Sequence, residues 1–148
     1  VLHELGLEYD ASLFPAARGH GGYGCPVQAH LFGDIPSGRP LPELPMSIMS
    51  IGSKRVCFSG GGYLRLFPGW LIRRGVDQLA NQGIPTVVYL HPRDFAPDCP
   101  RVPMPLHRRF KCYVGAKSTA SKLTMLLDRY RWGTCSEVLQ RSGLLEAA

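Results

Sequence analysis

The sequence lacks long apolar segments. Apolar residues make up 45% of the chain, yet no run of them approaches the roughly 20 residues that a helix needs to span a bilayer. No signal peptide is visible, and the chain opens on VLHELGLEYD without a methionine. That opening is typical of the last turns of a helix. We therefore expect a part of a longer protein, for which a missing signal peptide carries no information about the compartment.

Closely spaced cysteine pairs are also missing from the sequence. The five cysteines are Cys25, Cys57, Cys99, Cys112 and Cys135. An odd number of widely spaced cysteines without a CxxC pair argues against both a zinc cluster and a disulfide framework. Free, partly buried thiols in a reducing compartment fit this pattern. We therefore expect a cytoplasmic location, with the cell envelope as the alternative.

The positive charge of the chain has no dense cluster. The net charge is +6, and no run of lysine or arginine is longer than two residues. A nucleic-acid-binding protein typically carries a basic stripe with a DNA- or RNA-reading motif, and no such motif is present. A basic face toward an anionic glycan or a membrane is at least as plausible. We expect no nucleic acid as partner, and a nucleic-acid-associated domain is the weakest alternative.

The amino-terminal third is rich in loop residues. Residues 1–6 are expected to finish a helix that ends at Gly6, and residues 7–14 to run extended. Residues 15–45 contain six glycines and six prolines. This composition predicts a long loop, of the kind that is functional or covers another part of the fold. Residues 46–51 then predict a strand.

The middle of the chain predicts a β–α–β unit. Residues 54–68 favour a second extended stretch, interrupted by the glycines at 60–62. Pro68 fits the first position of a helix that ends at Gly83. Residues 86–90 are apolar without alternation, which is typical of a parallel strand buried on both faces. The unit implies parallel strands joined by a crossover helix, and hence an α/β fold.

The carboxyl-terminal third predicts helices. Residues 106–114 and 117–129 have helical spacing, with Leu123, Leu126 and Leu127 on one face of the second helix. Residues 131–134 favour a short strand or a turn. Thr134 or Ser136 is expected to cap a last short helix.

His91 is the sharpest candidate for chemistry. It follows the predicted strand 86–90 and precedes Pro92, which cannot continue the hydrogen-bond ladder. In α/β folds, ligands meet the carboxyl ends of the strands, where an imidazole is suited to proton transfer. The alternative is a strand-end histidine that binds a loop carbonyl, and position alone does not separate the two.

The glycines at 60–62 do not match a phosphate-binding loop, because the expected helix start does not follow them. We interpret them as a tight turn or bulge where the backbone passes close to another group. On the predicted strand that follows, Tyr63 and Arg65 share one side. Exposed, the pair would stack on and hydrogen-bond a sugar; buried, it would be a core tyrosine with an arginine reaching outward.

Metal ligands and covalent nucleophiles have no recognisable motif. The histidines at positions 3, 20, 30, 91 and 107 show neither HxxxH nor HExxH spacing. His20 and His30 are expected at the surface of the long loop. Asp10 is a candidate carboxylate partner, or a turn or cap residue. No Gly-x-Ser-x-Gly or Cys–His signature is present.

Four segments resemble one enzyme family in order and in motif. They are LGLEYDASLFPAARGHGGYG, SGGGYLRLFPGWLIRRG, VVYLHPRDFAPDCPR and FKCYVGAKSTASKLTMLLDRYRWGTCSEVL. In this order they resemble the carboxyl-terminal end of bacterial polysaccharide deacetylases of the NodB-homology type (carbohydrate esterase family 4), of the subgroup associated with exopolysaccharide loci and exosortase. The resemblance covers nearly the whole chain.

The resemblance implies the carboxyl-terminal portion of a deformed (β/α) barrel that hydrolyses N-acetyl groups of amino sugars in a polysaccharide. A divalent metal, usually zinc, is held in that family by motifs that would lie upstream of Val1. The step Tyr89-Leu90-His91-Pro92 matches the motif that supplies the general acid, so His91 carries over in that role. On our own interpretation, Leu90 lines the substrate site, and the Gly/Pro-rich loop with Tyr63 and Arg65 helps to shape the glycan cleft.

Asp10 stands where the family has an Asp-Trp step that orients the histidine, although the tryptophan is absent here. The resemblance thus implies half of an active site, with the zinc bound by the missing upstream part. The 148 residues alone are expected to be inactive and to bind zinc weakly. The alternative is a non-catalytic module that binds glycan or assembles an exopolysaccharide system.

Overall fold

The chain folds as a mixture of short strands and helices in a computed structural model, which describes residues 2, 5–16, 22–33 and 40–146. The strands are β1 (His30–Phe32), β2 (Leu41–Glu43), β3 (Ile48–Ile51) and β4 (Lys54–Cys57). The helices are α1 (Gly61–Leu66), α2 (Gly69–Ala80), α3 (Leu106–Tyr113), α4 (Thr119–Arg129) and α5 (Cys135–Arg141). Two 3₁₀ turns, Pro92–Phe95 and Ala116–Ser118, complete the set.

A strand pair lies inside the span 15–45, which the sequence predicts to be loop. Strands β1 and β2 pair antiparallel, with His30 opposite Glu43. On the other edge of β2, Asp10 forms a parallel bridge with Glu43, so the extended stretch expected at 7–14 joins the same sheet. Both strands have only three residues, and β2 contains a proline. Such short strands are not recognisable in a segment rich in glycine and proline. His20 and residues 34–39 lie outside the described part.

Strands β3 and β4 form a tight hairpin. They pair antiparallel from Ile48 opposite Cys57 to Ile51 opposite Lys54. Gly52 turns the chain with a φ of 59°, a left-handed conformation that only glycine adopts without strain. The strand predicted at 46–51 is therefore confirmed, with its start two residues later.

The glycines at 60–62 open a helix and not a strand. Only the first part of the predicted stretch 54–68 is extended, because β4 ends at Cys57 and α1 begins at Gly61. The Gly60 carbonyl accepts hydrogen bonds from the N–H groups of Tyr63 and Leu64 at 2.9 and 2.8 Å. Residues two apart on a helix point about 200° apart. The prediction that Tyr63 and Arg65 share one side of a strand is therefore wrong.

Helix α2 forms as predicted, but the strand predicted at 86–90 does not form. Helix α2 follows Pro68, which takes the cap position just before its expected place, and the chain turns at Gly83 with a φ of 70°. The segment 86–90 makes one parallel bridge, between Tyr89 and Gly60. It is not buried on both faces as predicted, since Tyr89 is 50% exposed. In the described part the strands form two two-stranded sheets and no closed barrel.

A single apolar cluster holds the centre of the fold. Its buried members are Met49, Phe58, Leu64, Ile72, Val76, Leu79 and Leu126. They come from β3, α1, α2 and α4, together with Phe58 just after β4, so the helices pack on the β3–β4 hairpin. Of the three leucines predicted on one face of α4, Leu126 is buried, whereas Leu127 is 49% exposed. Helix α3 buries none of its side chains.

The chain ends on a capped helix. The Thr134 hydroxyl accepts the Glu137 N–H at 3.2 Å, and the Glu137 carboxylate accepts the Thr134 N–H at 2.7 Å. This reciprocal pair is a capping box. It confirms Thr134, and not Ser136, as the cap of α5, and residues 131–134 form no strand. Near the other end, Gly6 has a φ of 75°, as expected of a residue that ends a helix; residues 1, 3 and 4 lie outside the described part.

The five cysteines are free, as the sequence predicts. Cys25 and Cys57 are buried, and this burial raises the pKa of each thiol. Within the residues that the structure describes, no helix is long and apolar enough to cross a membrane.

Replacing Gly75 in α2 by alanine is predicted to destabilise the fold. An added Cβ would lie 2.7 Å from ring atoms of Phe58, which is too close for unstrained packing. Overpacking of this kind costs about 1–3 kcal/mol, which outweighs the gain of up to about 1 kcal/mol that alanine brings to a helix. Urea unfolding measures the change.

The matched control is Gly62→Ala in α1. Its added Cβ would meet nothing closer than 3.8 Å, so the free energy of unfolding should be unchanged or slightly higher. Equal stability of the two variants would show that Phe58 does not need the space at Gly75.

Candidate functional site

His91 lies at the end of an extended segment that is tied to the core at several points. The Val87 N–H donates to the Ser47 hydroxyl at 2.8 Å. The Tyr89 N–H donates to the Ser59 carbonyl at 3.2 Å, and the Tyr89 carbonyl accepts the Gly61 N–H at 2.8 Å. These bonds fix the chain just before His91, whose side chain is exposed. His91 therefore follows an extended segment with one parallel bridge, and not the buried strand that the sequence predicts.

The imidazole of His91 packs against one aromatic ring. Its centroid lies 4.7 Å from the ring centroid of Tyr89, and the two planes meet at 82°. An edge-to-face contact of this kind is favourable and restricts both rings. The histidine therefore has a defined neighbour on one side and solvent on the other.

Asp94 forms two hydrogen bonds with the backbone of His91. Its carboxylate Oδ2 accepts the His91 N–H at 2.9 Å, and its own N–H donates to the His91 carbonyl at 2.9 Å. Asp94 is only 2% exposed. Sequence reasoning missed this residue. A signal was present, because a carboxylate three residues after the start of a helical turn commonly reaches back to that backbone N–H.

Arg65 holds the other side of the Asp94 carboxylate. Its Nε lies 3.0 Å from Asp94 Oδ1, and the two side chains form a buried ion pair. The guanidinium also donates to the Lys111 carbonyl at 3.1 Å, to the Cys112 carbonyl, and from Nε to the Gly61 carbonyl at 3.4 Å. Only 7% of Arg65 is exposed, so the guanidinium is occupied by internal contacts. Direct contact with a sugar stays a prediction that this burial does not favour.

Two glycines leave the space for this ion pair. A Cβ on Gly61 would lie 1.8 Å from Asp94 Oδ2, and a Cβ on Gly115 would lie 2.0 Å from the Arg65 carbonyl oxygen. Gly115 also has a φ of 67°, which side-chain-bearing residues rarely adopt. The sequence-based interpretation that residues 60–62 mark a close approach is confirmed, and the group that approaches is Asp94.

Lys122 completes the end of α1. Its ammonium donates to the carbonyls of Leu64 and Arg65 at 2.9 and 3.0 Å. These carbonyls lie in the last turn of the helix, where a cation is favourable. Burial lowers the pKa of Lys122, because the low dielectric disfavours the charged form.

Tyr63 and Leu90 lie near the same elements without sharing a contact surface. Tyr63 is partly exposed on α1, with its ring centroid 5.9 Å from that of Phe67. Burial of the rest of the side chain raises the pKa of the Tyr63 hydroxyl. Leu90 is half-buried and packs against the apolar cluster. The roles of Tyr63 and Leu90 in substrate binding stay predictions.

Asp10 belongs to a second polar cluster. Its carboxylate accepts the Ala11 N–H at 2.9 Å and the Ser12 hydroxyl at 2.6 Å, as in a turn residue. Its neighbour across the bridge is Glu43. Within the described residues no hydrogen bond or ion pair joins Asp10 to His91, so its orienting role stays a prediction.

Glu43 is the buried member of that cluster and is 1% exposed. Its Oε1 accepts the Leu13 N–H at 2.9 Å, and Oε2 has no partner within the described residues. Burial raises the pKa of Glu43, and the nearby Asp10 raises it further. The Leu13 N–H and His30 act in the opposite direction but do not cancel the effect.

The described residues do not fit the zinc that the resemblance implies. Nowhere in residues 2, 5–16, 22–33 and 40–146 do three or more His, Cys, Asp or Glu side chains lie close enough together to hold a metal ion. The carboxylate nearest to His91 is already bonded to Arg65 and to the His91 backbone. Within the described residues, His91 therefore has no group of metal ligands beside it.

A cleft of about 560 Å³ lies between α2, the chain at 83–86 and α5. Tyr130, Arg131, Trp132, Glu137 and Arg141 are among its lining residues. The Trp132 indole N–H donates to the Leu126 carbonyl at 3.1 Å, which fixes the ring. Trp132 remains partly exposed and offers an aromatic face beside charged groups.

One protein family matches this chain over most of its length. The sequence model of the family described as "Domain of unknown function (DUF3473)" matches residues 11–140. No curated protein and no solved structure matches the chain.

Glu43 should make the stability of the fold depend on pH. The pKa of Glu43 is raised in the folded state. Its contribution to the free energy of unfolding is therefore complete at low pH and is lost as the pH rises through the folded pKa. We expect the free energy of unfolding to fall between pH 4.5, the unperturbed value, and neutrality. Each unit of pKa shift corresponds to about 1.4 kcal/mol.

In Glu43→Gln this component of the fall should disappear, because the amide keeps an acceptor for Leu13 and cannot ionise. Denaturation across this pH range compares the variant with the wild type and with Glu8→Gln, which changes an exposed carboxylate. A wild-type slope retained in Glu43→Gln would contradict the assignment.

Proposed function

This chain belongs to the family DUF3473, and we propose that it forms the carboxyl-terminal part of a metal-dependent polysaccharide de-N-acetylase. In this proposal the substrate is an N-acetylated polysaccharide, and His91 is the general acid. The proposal rests on the resemblance of the Tyr89-Leu90-His91-Pro92 step to the acid motif of those enzymes. It is supported by the placement of an exposed imidazole on a firmly held backbone.

The observation that carries the proposal is the placement of His91. An exposed histidine follows a segment that runs parallel to its neighbour, and the carboxyl ends of parallel strands are where α/β folds bind ligands. The backbone of His91 is bonded on both sides, to Asp94 through its N–H and its carbonyl. A rigid backbone beneath an accessible imidazole suits a residue that transfers a proton.

The proton transfer assigned to His91 is simple. A base outside the described residues removes one proton of a water molecule as the water oxygen adds to the acetyl carbonyl carbon, and the C–N bond of the amide then breaks. As it breaks, the protonated imidazole gives its proton to the leaving nitrogen, which departs as the amine of the sugar. Acetic acid, neutral imidazole and the protonated base remain. As the resemblance implies, the metal ligands in this proposal belong to residues upstream of Val1.

The proposed barrel would cover apolar surface that is exposed in this chain. The segment 86–90 is only half-buried, although its apolar composition is typical of a strand covered on both sides. Within the described residues each sheet has only two strands, and an enclosing barrel would extend them. The free thiols support a cytoplasmic location for the whole enzyme, with the cell envelope as the alternative.

The test is acetate release from an N-acetylated oligosaccharide by the protein extended upstream to its natural start. His91→Ala should lower the rate about 10²- to 10⁴-fold, the usual contribution of a general acid. His107→Ala, which removes an exposed histidine from α3, should leave the rate unchanged. Circular dichroism and metal analysis check that folding and metal content are the same in all three proteins.

Full activity in His91→Ala would refute the assignment of the general acid. A folded, metal-loaded wild type without activity would refute the deacetylase proposal itself. That result would favour the second candidate, a glycan-binding or assembly module.

The cleft beside Trp132 favours that second candidate. Aromatic faces with neighbouring charged groups are suited to stacking on and hydrogen-bonding a sugar ring. If the module binds glycan there, Trp132→Ala should weaken the binding of an N-acetylated oligosaccharide at least tenfold in isothermal titration calorimetry. Trp70→Ala removes an exposed tryptophan of α2 outside this cleft and should have no effect. Equal binding by both variants would exclude the cleft as the glycan site.

A further inference from the structure

A buried ion pair lies directly behind the exposed histidine. Arg65 and Asp94 are 7% and 2% exposed. Burying two charges costs free energy that their attraction often does no more than offset, and an apolar pair of similar volume commonly stabilises a fold as well. The stability of the fold therefore does not by itself account for this pair. What an apolar pair would not supply is a fixed acceptor for the His91 N–H.

We propose that Asp94 and Arg65 are positioning residues for the His91 imidazole, an assignment that rests on the proposed function above. Asp94 bonds the His91 N–H and its carbonyl, which fixes the backbone from which the ring projects. The Tyr89 ring, 4.7 Å away between centroids, then limits the rotation of the imidazole. The ring is thus ordered before substrate arrives, and this order lowers the entropic cost of the reactive geometry.

Arg65 sets the position of Asp94 relative to two helices. Its guanidinium bonds the Asp94 carboxylate and, at the end of α3, the carbonyls of Lys111 and Cys112. No side chain of α3 is fully buried, and these two bonds attach the end of the helix to Arg65. A planar guanidinium reaches all these acceptors at once, which a lysine ammonium cannot do.

The backbone of Gly61 limits the space available to the Asp94 carboxylate. Asp94 lies directly against the Gly61 backbone, so a longer glutamate at 94 would have to displace helix α1. The pair is therefore specific in side-chain length as well as in charge.

The first experiment observes the ring without any reaction. The imidazole carbon-bound protons of His91 are assigned by NMR in the 148-residue chain, where the neighbouring Tyr89 ring should displace their chemical shifts. In Asp94→Asn these shifts should move toward those of the exposed His107. In Asp98→Asn, which changes an exposed carboxylate on the same stretch of chain, they should stay in place. Unchanged His91 shifts in folded Asp94→Asn would overturn the proposal.

The second experiment measures acetate release by the protein extended upstream. Asp94→Asn should lower kcat about 10- to 100-fold with KM nearly unchanged, because small displacements of a catalytic group have effects of this size. The control for a merely structural loss is Asp77→Asn, which replaces the charged acceptor of the Tyr130 hydroxyl, 2.7 Å away, by a neutral amide oxygen. At a temperature where all variants are folded, Asp77→Asn should keep its kcat.

The outcomes separate the two proposals. If His91→Ala is inactive and Asp94→Asn keeps wild-type kcat, the positioning role is wrong and the general acid stands. If His91→Ala is fully active, the assignment of the general acid fails and the positioning role fails with it, whereas an inactive wild type refutes the proposed function itself. Should Asp94→Asn not fold, Arg65→Lys replaces it in both experiments, since it keeps the charge but loses carbonyl contacts. It should show a smaller shift change and a smaller loss of kcat, and wild-type values for both would overturn the proposal.

Discussion

One buried ion pair joins the parts of this fold that surround His91. Arg65 comes from α1, Asp94 from the 3₁₀ turn after the extended segment, and the carbonyls that share the guanidinium from α3. Removing one partner of a buried pair typically costs about 3–5 kcal/mol, because it leaves an uncompensated charge. Each of these elements therefore depends on the others. Gly61 belongs to the same constraint, since a Cβ there would overlap the Asp94 carboxylate, and a Cβ at Gly115 would overlap the backbone carbonyl of Arg65.

Most helices were predictable because their apolar residues repeat with the helical period. Helices α2 to α5 and the β3–β4 strands follow from such patterns and from the proline, glycine and threonine at their ends. Helix α1 was not predictable, because its two glycines weaken a helix and its six residues fit a strand equally well. Tertiary bonds stabilise it instead: Asp94 lies against its start, and Lys122 binds its end.

The candidate site was only partly predictable for a related reason. The place of His91, at the end of an extended stretch and before Pro92, follows from local sequence. Its partner Asp94 had a local signal in the spacing of three residues. The pairing of Asp94 with Arg65 had none, because a whole helix separates the two residues along the chain. Locally unfavourable choices, such as glycine in α1, are expected where a site imposes its own geometry.

The most direct measurement is a double-mutant cycle on the free energy of unfolding, with Arg65→Met, Asp94→Leu and the combined variant. If the ion pair is the constraint on which this region depends, each single change leaves one buried charge unpaired and the double change removes both. The double variant should then be more stable than the sum of the single losses predicts, with a coupling of at least about 2 kcal/mol. Losses that add to within about 0.5 kcal/mol, as for independent sites, would contradict this account.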